Sequence, residues 1–121
     1  MILGLRTAIY PVKDLALAKA WYGKVLALTP YFDEAFYVGF AVGGFELGLV
    51  PDGEASANGP QPLWGVENAD TAYQTLLLLG GQALQAVTDV GGGIRVAAVL
   101  DPFGNRFGII ENPHFCVQSV R

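Results

Sequence analysis

The fold is decided by residues 12–26, which read VKDLALAKAWYGKVL. Asp14 is a suitable helix N-cap, because its carboxylate can accept a hydrogen bond from an amide of the first turn. Behind it, apolar residues recur at steps of three and four, which is the stripe of an amphipathic helix. The pattern predicts a helix that ends near Thr29-Pro30, because proline disfavours helical backbone in the residue before it.

The same signal returns 54 residues further on, where Val66 corresponds to Val12. Asn68 is the cap candidate there, and Gly80-Gly81 is a typical helix C-terminus. Each predicted helix has one predicted strand before it and three after it, and these strands cover residues 5–10, 31–33, 36–42, 45–50, 63–66, 83–90, 94–100 and 106–110. Such internal repetition indicates a duplicated unit, although two short capped helices can also share one domain without any duplication.

The composition excludes several classes of protein. The chain has 121 residues, of which 52% are apolar and 15% charged, with a formal net charge of -4. A typical soluble domain carries about 25% charged residues, and disordered chains are poor in apolar residues. The seven basic residues are scattered, which argues against a nucleic-acid partner. No apolar run approaches the ~20 residues that a membrane span needs.

Other features point to a single domain in the cytoplasm. Cys116 is the one cysteine, so an intramolecular disulfide and a multi-cysteine zinc site are excluded. The first residues lack the pattern of a signal peptide, and a chain of this length usually forms one domain. We therefore expect the surplus of apolar residues to lie in a core, a ligand cavity or a subunit interface.

Three segments carry a family resemblance: residues 12–22, residues 44–49 (GFELGL) and residues 101–109 (DPFGNRFGI). Across residues 5–112 the chain resembles the vicinal oxygen chelate superfamily, which includes glyoxalase I, bleomycin-resistance proteins, fosfomycin-resistance enzymes and extradiol dioxygenases. The resemblance implies an α+β fold of two βαβββ modules that form a cup-shaped mixed sheet with the helices on the outside. It also implies a homodimer. We place the modules at about residues 5–50 and 63–112 of a single domain, 1–121, with a linker at 51–62.

Metal-dependent relatives bind a divalent cation inside the cup. Carried over by position, the resemblance places Thr7, Glu46, Gln61 and Gly108 where those relatives have their ligands. Only Glu46 and Gln61 can act as ligands, whereas a catalytic metal normally has three protein ligands. We therefore predict no metal and no other cofactor, and assign no catalytic residue.

The resemblance also implies which side chains line the cup. Strand alternation places Thr7, Ile9, Glu46 and Leu63 there with Gln61, and Arg106 shares the side of Gly108. A carboxylate in an apolar cup would have a raised pKa and could act as a general base; the alternative is a solvated Glu46 or one paired with an arginine. Arg106 could bind a carboxylate or phosphate, or lie solvated at the rim or paired with Glu46.

Further side chains keep two interpretations each. One group of aromatic residues could line a ligand cavity or simply pack: Tyr31, Phe36, Tyr37 and Phe40. His114 could act as a base, or it could be a surface or interface residue in the tail, which its position favours. Cys116 has no neighbour in sequence that would activate it except His114.

The sequence supports three functions. The first is a metal-free protein that binds a small apolar or aromatic molecule in its cup. The second is a metal-dependent lyase or dioxygenase that uses Glu46 and Gln61. The third is a dimeric interaction module with a vestigial cup. Fold alone does not decide between them, nor whether any reaction is catalysed.

Overall fold

The computed structural model describes residue 3, residues 5–58 and residues 61–120. The chain divides into two compact units, Met1–Ala55 and Ser56–Arg121. The first unit contains β1 (Thr7–Pro11), α1 (Leu15–Leu26), β2 (Phe32–Glu34), β3 (Tyr37–Val42) and β4 (Phe45–Val50). The second contains β5 (Leu63–Gly65), α2 (Ala69–Leu78), β6 (Gln82–Gly91), β7 (Ile94–Leu100), β8 (Arg106–Glu111) and a short 3-10 helix, Val117–Ser119.

Each unit forms one four-stranded mixed sheet with the same topology. The strand order is β1-β4-β3-β2 in the first unit and β5-β8-β7-β6 in the second. In both, the first strand runs parallel to the last strand of the module, and the other neighbours are antiparallel. The α+β class and the two βαβββ modules predicted from the sequence are therefore confirmed.

Both predicted helix caps form. The Asp14 carboxylate accepts a hydrogen bond from the amide of Leu17 at 3.0 Å, and the Asn68 side chain accepts one from Thr71 at 2.9 Å. Each bond satisfies an amide that the helix itself leaves without an acceptor. The two helices therefore begin where the local sequence chemistry places them.

The end of α1 was predicted too late. The helix ends at Leu26, and Ala27 adopts the left-handed conformation at φ 55°. The amide of Leu28 then donates to the carbonyl of Gly23 at 3.2 Å, which is the hydrogen-bond pattern of a Schellman motif. A local turn thus ends the helix before Pro30 can. The next strand, β2, is also shifted by one residue from its predicted position at 31–33.

The core of the first unit lies between α1 and one face of its sheet. The largest fully buried side chains there are Tyr22, Phe40, Leu47, Leu49, Val12 and Val38. Burying a side chain of this size contributes roughly 1.5–3 kcal/mol to folding. Phe40 belongs to this core, so the interpretation of Phe40 as a cavity-lining residue is wrong. Because side chains alternate along a strand, the residues between these positions lie on the opposite face, which we call the open face.

The second unit follows the same plan. Trp64 of β5 stacks on Phe107 of β8, with ring centroids 5.7 Å apart. Ile109 and Val99 are buried on the same side, and the Glu111 carboxylate accepts a hydrogen bond from the amide of Ala69 at the start of α2. Trp64 therefore faces the helix, as its alternation in the sequence predicts.

The turn before β8 is stabilised by Asp101, which is buried. Its side chain accepts hydrogen bonds from the amides of Phe103 and Asn105 at 2.9 and 2.8 Å. This turn sets the start of β8 and therefore the face on which Arg106 lies. Among the described residues, no helix is both long and apolar enough to cross a membrane.

Candidate functional site

The carboxylate of Glu46 on β4 lies on the open face of the first unit. The strand register sets Glu46 beside Thr7 of the parallel strand β1 and beside Ala41 of the antiparallel strand β3. The Thr7 hydroxyl donates a hydrogen bond to Glu46 Oε1 at 3.2 Å. Two of the residues that alternation assigned to this face are thus in direct contact.

Two tyrosines complete the environment of this carboxylate. The Tyr37 hydroxyl donates to Glu46 Oε1 at 2.7 Å, and the Tyr31 hydroxyl donates to Oε2. Three hydroxyl groups from three separate segments therefore converge on one side chain. We call these four residues, Thr7, Tyr31, Tyr37 and Glu46, the Glu46 cluster.

Two glycines make room for the cluster. Gly39 of β3 and Gly48 of β4 are directly paired across the sheet. A Cβ atom on Gly48 would overlap the Tyr37 hydroxyl, and one on Gly39 would lie 2.8 Å from Glu46 Oε2. A glycine inside a strand often marks such a close approach. The Tyr37 ring reaches Glu46 because the sheet has no side chains at these two positions.

The hydrogen bonds determine the charge of the cluster. Those from Tyr31 and then Tyr37 lower the pKa of the Glu46 carboxyl below its usual 4.5, against the opposing effect of partial burial, and Thr7 adds to the lowering. Of the two interpretations of Glu46 offered by the sequence, the one with a raised pKa is therefore wrong, because hydroxyl donors outweigh desolvation here. At neutral pH Glu46 is ionised and is a weak base.

The pKa values of the two tyrosines shift in the opposite direction, upward. Desolvation, followed by the hydrogen bond to Glu46, raises the pKa of Tyr37 to about 12. The hydrogen bond to Glu46 is also the main cause of a raised pKa at Tyr31. Both hydroxyls are therefore protonated at neutral pH and act as donors, so the cluster carries a single negative charge.

The cluster borders an open depression of about 300 Å³, lined by Arg6, Thr7, Tyr31, Ala41, Gly44, Phe45 and Glu46. Tyr31 is 63% exposed, and Ile9, which pairs with Gly48 on the same face, is 55% exposed. An ionised carboxylate and exposed apolar surface thus lie side by side. This combination suits a ligand with an apolar body and a hydrogen-bond donor.

The other predicted site residues lie in the second unit. Gln61 is exposed and precedes β5. Leu63, which is 47% exposed, lies over Gly108, where an added Cβ would be 2.7 Å from Leu63 Cδ2. The Arg106 guanidinium donates from Nη2 to Gln85 Oε1 at 2.6 Å. These residues therefore belong to the second unit, whereas the Glu46 cluster belongs to the first.

Among the described residues, the carboxylate of Glu46 is already occupied by hydroxyl donors. Glu46 Oε1 already accepts two hydrogen bonds and Oε2 accepts one, so metal coordination would displace hydroxyl donors. Thr7 donates to this carboxylate, and Gly108 has no side chain. In the part of the chain that the structure describes, no three His, Cys, Asp or Glu residues are grouped as metal ligands.

The tail residues His114 and Cys116 have contacts within the second unit. The His114 ring nitrogen Nε2 lies 2.7 Å from the carbonyl oxygen of Gly92, in the turn between β6 and β7. The Cys116 thiol is exposed and donates to Gln118 at 3.3 Å. The His114 contact attaches the C-terminal segment to the turn between β6 and β7.

Sequence reasoning missed that Tyr31 and Tyr37 are the partners of Glu46. Both were noted only as aromatic residues that could line a cavity. The one signal in the sequence was a glycine in each of two adjacent strands, at positions 39 and 48. Only the register between β3 and β4 shows that these glycines are neighbours.

A sequence model described as the Glyoxalase/Bleomycin resistance protein/Dioxygenase superfamily matches residues 4–109. No curated protein matches the chain.

Solved structures share the fold at low sequence identity. A glyoxalase-related enzyme from Fulvimarina pelagi has a TM-score of 0.75 and 19% identity, over 93% of this chain and 90% of that one. A putative glyoxalase family protein from Bacillus anthracis has a TM-score of 0.74 and 22% identity, over 93% and 97%. A glyoxalase/bleomycin resistance protein from Catenulispora acidiphila has a TM-score of 0.64 and 25% identity, over 91% and 100%.

Proposed function

Because this chain belongs to the Glyoxalase/Bleomycin resistance protein/Dioxygenase superfamily, we propose that it binds a small apolar or aromatic molecule without a catalytic metal. The binding surface is the open face of the first unit. One observation supports this most directly: Glu46 is held ionised by three hydroxyl donors beside exposed apolar surface.

The cluster suits recognition because its geometry is set before a ligand arrives. An ionised carboxylate has about four acceptor sites, and the hydroxyl donors use three of them. The remaining site on Oε2 can accept an N–H or O–H of the ligand. The exposed Tyr31 ring and the Ile9 side chain can contact its apolar part.

Binding is favoured over proton transfer by the direction of the Glu46 pKa. An efficient general base has a pKa close to the working pH, whereas hydrogen bonds lower the pKa of Glu46 below 4.5. Glu46 is therefore better suited to holding a ligand in place than to removing a proton from it.

The ligand hypothesis can be tested with pairs of small aromatic compounds that differ only in one amino or hydroxyl group. A ligand at one hundred times its Kd stabilises a protein by about 2.7 kcal/mol, which a thermal-shift assay detects. We expect the compound with the donor to raise the melting temperature more than its partner does.

Glu46→Gln should weaken the binding of any such ligand about tenfold or more, since a hydrogen bond to a charged group contributes roughly 1.5–3 kcal/mol. Glu54→Gln is the matched control, because Glu54 is exposed in the connection after β4 and its replacement changes the charge equally. Equal affinity of wild-type protein and Glu46→Gln would contradict the proposal.

The absence of a catalytic metal can be tested by elemental mass spectrometry of untagged protein. We expect less than 0.1 equivalent, as an order-of-magnitude limit, of zinc, manganese, nickel or iron, because a catalytic site normally has three protein ligands. A full equivalent that is lost in Glu46→Ala would instead support the metal-dependent lyase or dioxygenase.

We also propose a homodimer, as the family resemblance implies. Large apolar side chains are exposed in both units, including Leu17, Phe36 and Leu78, and oligomerisation would remove such surface from water. Light scattering after size exclusion at micromolar concentration should give twice the chain mass of 12.8 kDa. A monomer would exclude this, and with it the dimeric interaction module.

A further inference from the structure

Arg106 and Gln85 form a polar pair in the second unit, on the face of the sheet turned away from α2. Phe107 and Ile109 of β8 are buried on the helix side. Because strand residues alternate, Arg106 and Gly108 lie on the opposite face. Arg106 reaches from β8 to Gln85 on β6, so its side chain crosses the intervening strand β7.

The guanidinium of Arg106 has no counter-ion in the described part of the chain. Every ion pair there involves either Lys19 or Arg95. In addition, Arg106 Nε is buried without a hydrogen-bond partner. A buried donor without an acceptor is rare in native proteins and destabilises the fold, so an acceptor group placed against Arg106 would be favourable.

Arg95, in the same sheet, shows how an arginine is normally satisfied. It lies on the helix side, and its guanidinium donates from two nitrogens to the two oxygens of Asp70 at 2.6 and 3.1 Å. Glu111 Oε1 lies 4.0 Å from Arg95 Nη1. The chain thus supplies carboxylates to Arg95 on one face of the sheet, whereas the described residues supply none to Arg106 on the other.

Because Arg106 is hydrogen-bonded to Gln85, the pair can offer a ligand only hydrogen-bond donors. A guanidinium has five N–H groups and no acceptor, so the amide oxygen of Gln85 must face it. The amide nitrogen of Gln85 is then left to donate elsewhere. Together the two side chains present only N–H groups, one set of which is charged, among apolar neighbours such as Leu100 and Ala98.

From this arrangement we propose that the Arg106–Gln85 pair binds an oxyanion, namely the carboxylate or phosphoryl group of a small organic molecule. Arginine binds such groups with two parallel hydrogen bonds, and the Gln85 amide supplies a further donor. The pair uses no residue of the Glu46 cluster, so either site can be tested without the other.

The proposal can be tested by NMR titration of the full-length protein with sodium phosphate and, separately, with sodium benzoate. We expect saturable shifts at the Gly108 backbone amide and the Gln85 side-chain amide. Tighter binding of phosphate would indicate a phosphoryl ligand, and tighter binding of benzoate a carboxylate ligand. Arg106→Gln should weaken binding at least tenfold. Lys13→Gln, which removes an equal charge at an exposed position, should leave it unchanged.

Gln85→Glu separates loss of binding from loss of folding. The new carboxylate would pair with Arg106 as Asp70 pairs with Arg95, so we expect a higher melting temperature together with loss of anion binding. The proposal is overturned if neither probe gives saturable shifts at this pair. It is equally overturned if Arg106→Gln or Gln85→Glu binds the probes as tightly as the wild-type protein.

Discussion

Tyr37→Phe removes one hydroxyl from the Glu46 cluster and leaves the ring in place. The lost hydrogen bond joins Tyr37 to Glu46 Oε1 at 2.7 Å and is partly buried. A hydrogen bond to a charged group contributes roughly 1.5–3 kcal/mol, and solvent screening at this partly exposed position reduces it. We therefore expect a loss of about 1 kcal/mol in the free energy of unfolding at pH 7, or about 4 °C in melting temperature.

This loss should depend on pH in a defined direction. The folded protein has a lowered Glu46 pKa, so the carboxylate stabilises the fold fully above its unfolded value of about 4.5. That contribution declines as the pH falls from there through the folded pKa. The difference between wild-type protein and Tyr37→Phe should therefore shrink as the pH is lowered from 7 to 3.

Urea unfolding at several pH values, followed by tryptophan fluorescence, measures this difference. Tyr73→Phe is the matched control, because it removes the same hydroxyl group from a tyrosine of α2, outside the Glu46 cluster. The reasoning is refuted if the two variants lose equal stability, or if the loss in Tyr37→Phe is the same at pH 3 as at pH 7.

Three further outcomes are expected. Gly48→Ala should destabilise the protein by about 2 kcal/mol in urea unfolding, because the new Cβ overlaps Tyr37 and overpacking costs roughly 1–3 kcal/mol. Gly65→Ala, whose Cβ would meet nothing within 4 Å, should lose far less stability. Similar losses in the two glycine variants would contradict the close approach of Tyr37 to Gly48. Asp14→Ala should lower the free energy of unfolding by about 1 kcal/mol through loss of the N-cap, and Asp14→Asn by less. The prediction is contradicted if calorimetry finds both variants as stable as the wild type. In an absorbance titration, one tyrosine should ionise near pH 12 and move to lower pH in Glu46→Gln; an unchanged titration would exclude Glu46 as a cause.

Local chemistry explains why much of the fold is predictable. Asp14 and Asn68 each accept a hydrogen bond from an amide three residues ahead, so a short window of sequence contains both partners. The same holds for the turn that Asp101 stabilises. The late prediction for the end of α1 has a related cause, because Ala27 lacks the usual glycine signal for the left-handed conformation it adopts.

The candidate site was only half predictable. Alternation along β4 assigned Glu46 to the face opposite the core, and the structure agrees. The direction of its pKa shift was wrong, since the partners that decide it lie 9, 15 and 39 residues away. An expectation based on an apolar environment could not include hydroxyl groups brought in by the register of other strands.

By itself, the sequence determined the two βαβββ modules, the helix caps and the faces on which Glu46 and Arg106 lie, because these depend on spacing and on contacts between near neighbours. Only the tertiary structure decided which groups surround those two side chains. Strand pairing surrounds Glu46 with three donors, whereas Arg106 receives one acceptor, from Gln85 at a separation of 21 residues. The charge and reactivity of a side chain depend on what surrounds it in space, and in this protein those surroundings come from distant strands.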